Sequence, residues 1–160
     1  MRLAALVLLL TFALDQASKW GIVVGLGLRE RLVIEVLPPW IHFIMAWNRG
    51  VNFGLFASDS EFLRWFLVAL AIAISIAVWI WVRREGALPM MQVSAGLLIG
   101  GALGNALDRI TWGAVADFLN VTCCGIHNPY AFNVADVAIF AGAIGLLLFS
   151  GSKEDGKKPS

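Results

Sequence analysis

The run from Phe62 to Val82 constrains this chain more than any other stretch, because it is apolar throughout except for Arg64 near its start and Ser75. At about 1.5 Å rise per residue such a run reaches about 30 Å as a helix, the thickness of a bilayer's hydrocarbon core. Trp65 near one end and Trp79 and Trp81 near the other match the aromatic belts found where a span meets the headgroups. A composition of 59% hydrophobic and 14% charged residues, with mean hydropathy +0.80, extends the same conclusion to the whole chain. In water, 160 residues could not bury that much apolar surface. A polytopic membrane protein is therefore expected.

Three further spans are predicted, over about residues 3–28, 88–109 and 134–150. The first could pass for a signal peptide, with Arg2 ahead of an apolar core, but no small-x-small cleavage site follows and the apolar character resumes after Lys19. It is read as a retained helix. The third contains GLLIGGALGNAL, whose small residues let helix backbones approach closely, so it should lie centrally in the bundle. Gly142 and Gly145 play a similar part in the fourth. Residues 29–60 are too polar and punctuated to span. There LVIEV and IHFIMAW flank Pro38 and Pro39, which predicts a small extramembrane β element, closed by the loop sequence WNRGVNFGLF. Residues 1–150 thus form one membrane domain, and the charged tail 151–160 is expected to be disordered.

Arg2, Arg83, Arg84, Lys153, Lys157 and Lys158 flank the membrane on the side of the termini, against Arg29, Arg31, Arg49 and Arg64 on the other. The excess puts both termini in the cytoplasm of a bacterium, and the β element and the 110–130 connection on the periplasmic face of the inner membrane. A net charge of +1 without a basic run excludes nucleic acid as a partner. Cys123 and Cys124 are adjacent, which offers neither a disulfide framework nor spaced metal ligands, and His42 has no second ligand at metal-binding spacing. No metal and no cofactor is expected.

Chemistry is expected between Gly100 and Asp136, where an oily chain sets down Asn105, Asp108, Arg109, Asp117, Asn133 and Asp136. Asn105, Asp108 and Arg109 share one face of the third helix. Asp15 and Lys19 share a face of the first, four residues apart with the acid leading. Charges at bilayer depth persist only when paired or facing a cavity, so Asp108 reads most simply as part of a buried network with Asp15 or Lys19. Asn105 and Arg109 carry donors suited to a ligand's backbone carbonyls. Asp117 and Asp136 should lie at one outer depth. Taken singly, Asp136 would merely cap its helix and Asp117 merely end a strand. Two carboxyls brought together in a partly dry pocket share a proton, however, so the ionised member can activate water while the protonated one polarises a carbonyl. That is aspartyl peptidase chemistry.

Together DQASK, NRGVNFGLF, GGALGNALDR, AVADF and FNVAD resemble the lipoprotein signal peptidase family, signal peptidase II, in order and spacing from Asp15 to Asp136. The resemblance implies an all-α membrane protein, with four transmembrane helices and a small periplasmic β-cradle. It implies an endopeptidase that removes the signal peptide of a diacylglyceryl-modified prolipoprotein just before the lipidated cysteine. By motif, Asp117 and Asp136 would be the catalytic dyad, and Asn48, Asn105 and Arg109 would surround the substrate. Asp15, Lys19, Asp108 and Asn133 would support them. Membrane lipid is an implied partner, and the inhibitor globomycin is expected to wedge between the aspartates. Asn52 stands where a small residue such as Ala is expected. Two rival readings are a small transporter, which should show internal repeats and a polar path reaching both faces, and a non-catalytic assembly factor.

Overall fold

The structure, a computed structural model, describes residues 1–50, 61–85, 88–122 and 128–150. Asn52, Cys123, Cys124, His127 and the tail 151–160 lie outside the described residues. In chain order the elements are α1 (Arg2–Lys19), continued by a π-helical stretch (Trp20–Gly25), a single turn α2 (Leu28–Arg31), and strands β1 (Val33–Leu37) and β2 (Ile41–Asn48). Then follow α3 (Glu61–Arg84), α4 (Pro89–Trp112), β3 (Val115–Val121) and α5 (Val134–Phe149).

Arg2–Gly25, Glu61–Arg84 and Pro89–Trp112 are each long and apolar enough to cross a membrane. The fourth apolar helix, Val134–Phe149, has 16 residues, or about 24 Å. Burial runs opposite to that of a water-soluble protein. Leu9, Phe62, Phe140 and Leu147 are 63%, 78%, 70% and 79% exposed, whereas Asp15, Lys19, Asp108 and Asn133 are 0% exposed. Apolar side chains face outward where lipid would solvate them, and the charged ones are withdrawn to where only protein can satisfy them. This is a membrane protein.

The expected central helix is α4, which packs against α1, α3 and α5. Its glycines are the reason it can. A Cβ on Gly100 would meet the Leu8 carbonyl at 2.7 Å and Thr11 at 2.8 Å, so α1 lies backbone-close against this ridge. On α5, a Cβ at Gly142 would meet Leu98 N and Ser94 O, both at 2.6 Å.

The sequence predicts a β element within residues 29–60, and β1 and β2 are found there, paired antiparallel through a turn at Pro38 and Pro39. Among the described residues the sheet has three strands, in the order β1-β2-β3. The strand that the sequence suggests at Asp117 is the third. It comes from the connection between α4 and α5, and its pairing with β2 was not foreseen. The reason is visible in its burial: Val115, Ala116, Asp117 and Phe118 are all buried, so VADFLNV lacks the alternation that marks a half-exposed strand. The helix before it also runs to Trp112 rather than to 109, ending at Gly113, which adopts φ +80° and donates its N–H to the Arg109 carbonyl. That cap turns the chain from the end of α4 into β3.

Candidate active site

The sheet and two helix ends meet where β3 passes the C-terminal end of α4 and the N-terminus of α5. Register places Asp117 of β3 opposite Ala46 of β2 and Val115 opposite Asn48. Asn48 and Asp117 are therefore diagonal neighbours on one face of the sheet. Asn48 Nδ2 donates to Asp117 Oδ2 at 3.2 Å, while Asn48 Oδ1 accepts from the Gly50 N–H at 3.1 Å.

Asp136 reaches the same spot from α5. Asn133 is the N-cap and accepts from the Asp136 N–H at 2.9 Å, and Asp136 Oδ2 accepts from the Asn133 N–H at 3.1 Å, a reciprocal capping box. The helix-capping part foreseen for Asp136 is thus real, and it leaves Oδ1 turned to Asn105 Nδ2 at 2.9 Å. Asn133 does more than cap. Its Nδ2 donates to Asp117 Oδ1 at 2.7 Å and lies within 3.2 Å of Asn105 Oδ1 and 3.3 Å of the Ala116 carbonyl. One asparagine, 0% exposed, therefore holds both carboxylates, one through its amide and the other through its backbone.

Asp117 is 5% exposed, and burial pushes its carboxyl up to about 6. The negative charge of Asp136 adds to the push, while the amides of Asn48 and Asn133 and the charge of Lys19 oppose it. Asp136 is the more open of the two, half-buried.

Beneath the carboxylates lies a second layer. Lys19 Nζ donates to Asp15 Oδ2 at 2.9 Å, Asp108 Oδ2 at 2.7 Å and Asn105 Oδ1 at 2.9 Å. The expected pairing of the α1 charges and of Asp108 with Lys19 is present. Asn105 joins the two layers: its oxygen takes the Lys19 and Asn133 donors, which leaves its Nδ2 for Asp136. Arg109 lies near enough to feel the charges of Asp108, Asp117 and Asp136 but forms no direct ion pair with them among the described residues. Its Nη1 donates to the Asn105 carbonyl at 3.2 Å, and its buried Nε has no hydrogen-bond partner among the described residues.

All nine residues singled out from the sequence thus gather in one region. Gln16 was missed. Its Nε2 donates to Asp15 Oδ2 at 3.1 Å, Asp108 Oδ1 at 3.0 Å and the Gly104 carbonyl at 3.3 Å. The signal was available, since Gln16 lies three residues from Lys19 on a shared helix face. Asn120 was also missed: its Nδ2 donates to the carbonyls of Asn128 and Tyr130, both at 2.8 Å, tying the segment before α5 to β3. No periodicity could have pointed to it.

Residues 7–151 match the family described as "Signal peptidase (SPase) II". The chain belongs to the signal peptidase II family. Among its relatives, the lipoprotein signal peptidase of Methylorubrum extorquens (strain PA1) is 45% identical over 149 residues, 93% of this chain and 85% of the relative. That of Caulobacter vibrioides (strain ATCC 19089 / CIP 103742 / CB 15) is 38% identical over 148 residues, 92% and 85% of the two chains. A solved bacterial membrane enzyme, determined by the in meso method at 2.3 Å resolution, superposes with a TM-score of 0.73 at 28% identity, covering 98% of this chain and 94% of that one. A second, at 1.9 Å, gives 0.76 at 26% identity, covering 94% and 93%. Signal peptidase II membership covers the helices and the sheet alike, so strand β3 lies within the matched region.

Proposed function

We propose that this protein is an aspartic endopeptidase of the bacterial inner membrane that removes signal peptides from diacylglyceryl-modified prolipoproteins, cutting before the lipidated cysteine. Family membership supports the substrate class. The mechanism rests on one observation: Asp117 and Asp136, from separate elements, meet at Asn133. Val134–Phe149 acts as the fourth span, both termini face the cytoplasm, and the sheet and the site lie on the periplasmic side.

In this mechanism the pair holds one proton. Asp117, deep and pressed by the Asp136 charge, is the member predisposed to carry it and to polarise the scissile carbonyl. Asp136, more open and with both oxygens accepting from fixed donors, takes a proton from the attacking water. Water oxygen bonds to the carbonyl carbon, and the tetrahedral intermediate collapses as the leaving amine of the lipidated cysteine receives the proton. The unspent Arg109 Nε supplies a donor for a substrate carbonyl. Asn48 and Asn105 reach substrate only alongside their task of orienting the carboxylates. Globomycin, lying between the aspartates, would compete with substrate.

Purified protein incubated with a diacylated precursor peptide tests this. Cleavage before the lipidated cysteine, undiminished by a chelator and blocked by globomycin, is the expected result. An intact precursor, or cleavage abolished by the chelator, would refute it.

A further inference from the structure

The buried cation and its two carboxylates make a pattern that the catalytic proposal does not use. Asp15 Oδ1 accepts the N–H of Ala135 at 2.9 Å, and Ala135 immediately precedes Asp136. Asp108 Oδ2 accepts the N–H of Ala116 at 3.2 Å, and Ala116 immediately precedes Asp117. Each non-catalytic aspartate thus grips the backbone one residue before a dyad aspartate. Lys19 Nζ joins the two grips, at 2.9 Å to Asp15 and 2.7 Å to Asp108, and also holds Asn105 Oδ1 so that the Asn105 amide faces Asp136.

We propose that Lys19 is a positioning residue which, through Asp15–Ala135 on one side and Asp108–Ala116 on the other, sets the separation and orientation of Asp117 and Asp136. The inference rests on the catalytic reading of that pair. A simpler reading, in which Lys19 only offsets buried charge, accounts for the ion pairs but not for where their other bonds go. Both carboxylates spend a lone pair on a backbone N–H at the equivalent position of each dyad segment. Those segments are β3 and the start of α5, which among the described residues share no strand ladder beyond the Leu119–Phe132 bridge. Without the Lys19 link, Asp15 and Asp108 repel against the single neutral bridge of Gln16, and β3 and the start of α5 keep only the Asn133 amide and the Leu119–Phe132 pairing to fix their spacing.

The test uses the full-length protein and a fluorogenic diacylated precursor peptide, with kcat and KM measured for Lys19→Met, Lys19→Arg and the double variant Lys19→Met/Asp108→Asn. Misplacing reacting groups by about 1 Å costs on the order of a hundredfold, so Lys19→Met should lose about that much kcat with KM held within about twofold. In the double variant the introduced amide can still accept from Ala116 through its oxygen, and the repulsion between Asp15 and residue 108 is removed, so the Ala116 grip survives without a cation. Recovery of about tenfold in kcat over Lys19→Met is expected. Full kcat in Lys19→Met, a loss confined to KM, or no recovery in a folded double variant would overturn the proposal. Should Lys19→Met fail to fold, Lys19→Arg decides: it keeps the charge but lengthens the link, so reduced kcat at constant KM supports the proposal and wild-type kcat overturns it. Inactivity of the wild-type protein on the same peptide would instead refute the catalytic reading itself.

Discussion

Replacing Asp117 by Asn should inactivate the protein and, at neutral pH, stabilise it. The carboxyl rises from its ordinary 3.8 to about 6 on folding, so the folded state holds its proton more tightly than the unfolded one. The stability gained from that proton is fully present below about 3.8 and is lost as pH climbs through about 6. With the side chain 5% exposed, the ionised carboxylate then costs the fold about 3 kcal/mol at pH 7.5, falling to about half of that at pH 5 and below about 1 kcal/mol at pH 4. An Asn at this position escapes that cost, but it can accept from only one of the two amides, of Asn133 and Asn48, that Asp117 satisfies. The lost bond takes back about 1–2 kcal/mol at every pH. The net effect is a gain of about 1–2 kcal/mol at pH 7.5, about 3–6 °C in melting temperature for a chain of this size, turning into a loss at pH 4. Tryptophan-fluorescence melts of both proteins in detergent, from pH 4 to 7.5, would show the curves crossing. A variant destabilised equally across that range would refute the claim that the Asp117 charge is held at a cost.

Several other outcomes are expected. If Asp117 must carry the proton, kcat/KM should fall as pH rises through about 6, and a profile flat from pH 5 to 8 would count against that assignment. Asp136→Asn removes a charge that pushes Asp117 upward, so the Asp117 titration, followed by carboxyl NMR, should move to lower pH; no movement would mean the two are uncoupled. Asn133→Ser keeps an N-cap oxygen but loses the amide that reaches Asp117. It should cost about 1–3 kcal/mol of stability through the lost amide bonds and more than tenfold in kcat, and a folded variant with wild-type kcat would reduce Asn133 to a cap. A Cβ at Gly104 would run into the Asp15 carboxylate, so Gly104→Ala should cost about 1–3 kcal/mol and lower kcat, both absent if α1 can simply shift aside.

Much of this site was legible in the sequence because membranes make polar residues conspicuous. Asp15, Lys19 and Asp108 could not stay charged in hydrocarbon unless they found one another, and Lys19 does bridge the two carboxylates. The glycines of α4 likewise announced close helix packing. The place of β3 in the sheet was hidden for the opposite reason: buried along most of its length, the strand shows no alternation, and its position depends on pairing with β2, more than sixty residues earlier. The double duty of Asn133 was invisible too, since a capping asparagine looks the same whether or not its amide reaches another strand. Nor could spacing reveal that Asp15 and Asp108 grip Ala135 and Ala116, because those bonds end on backbone atoms.

The central claim is that Asp117 and Asp136 together cut the precursor. Its most direct test is the intact mass of products formed from a diacylated prolipoprotein by the wild-type protein, Asp117→Asn and Asp136→Asn, each confirmed to be folded and membrane-inserted. Products split before the lipidated cysteine with wild type, and only intact precursor with either variant, are predicted. The same products from either variant at a rate near that of wild type would contradict it.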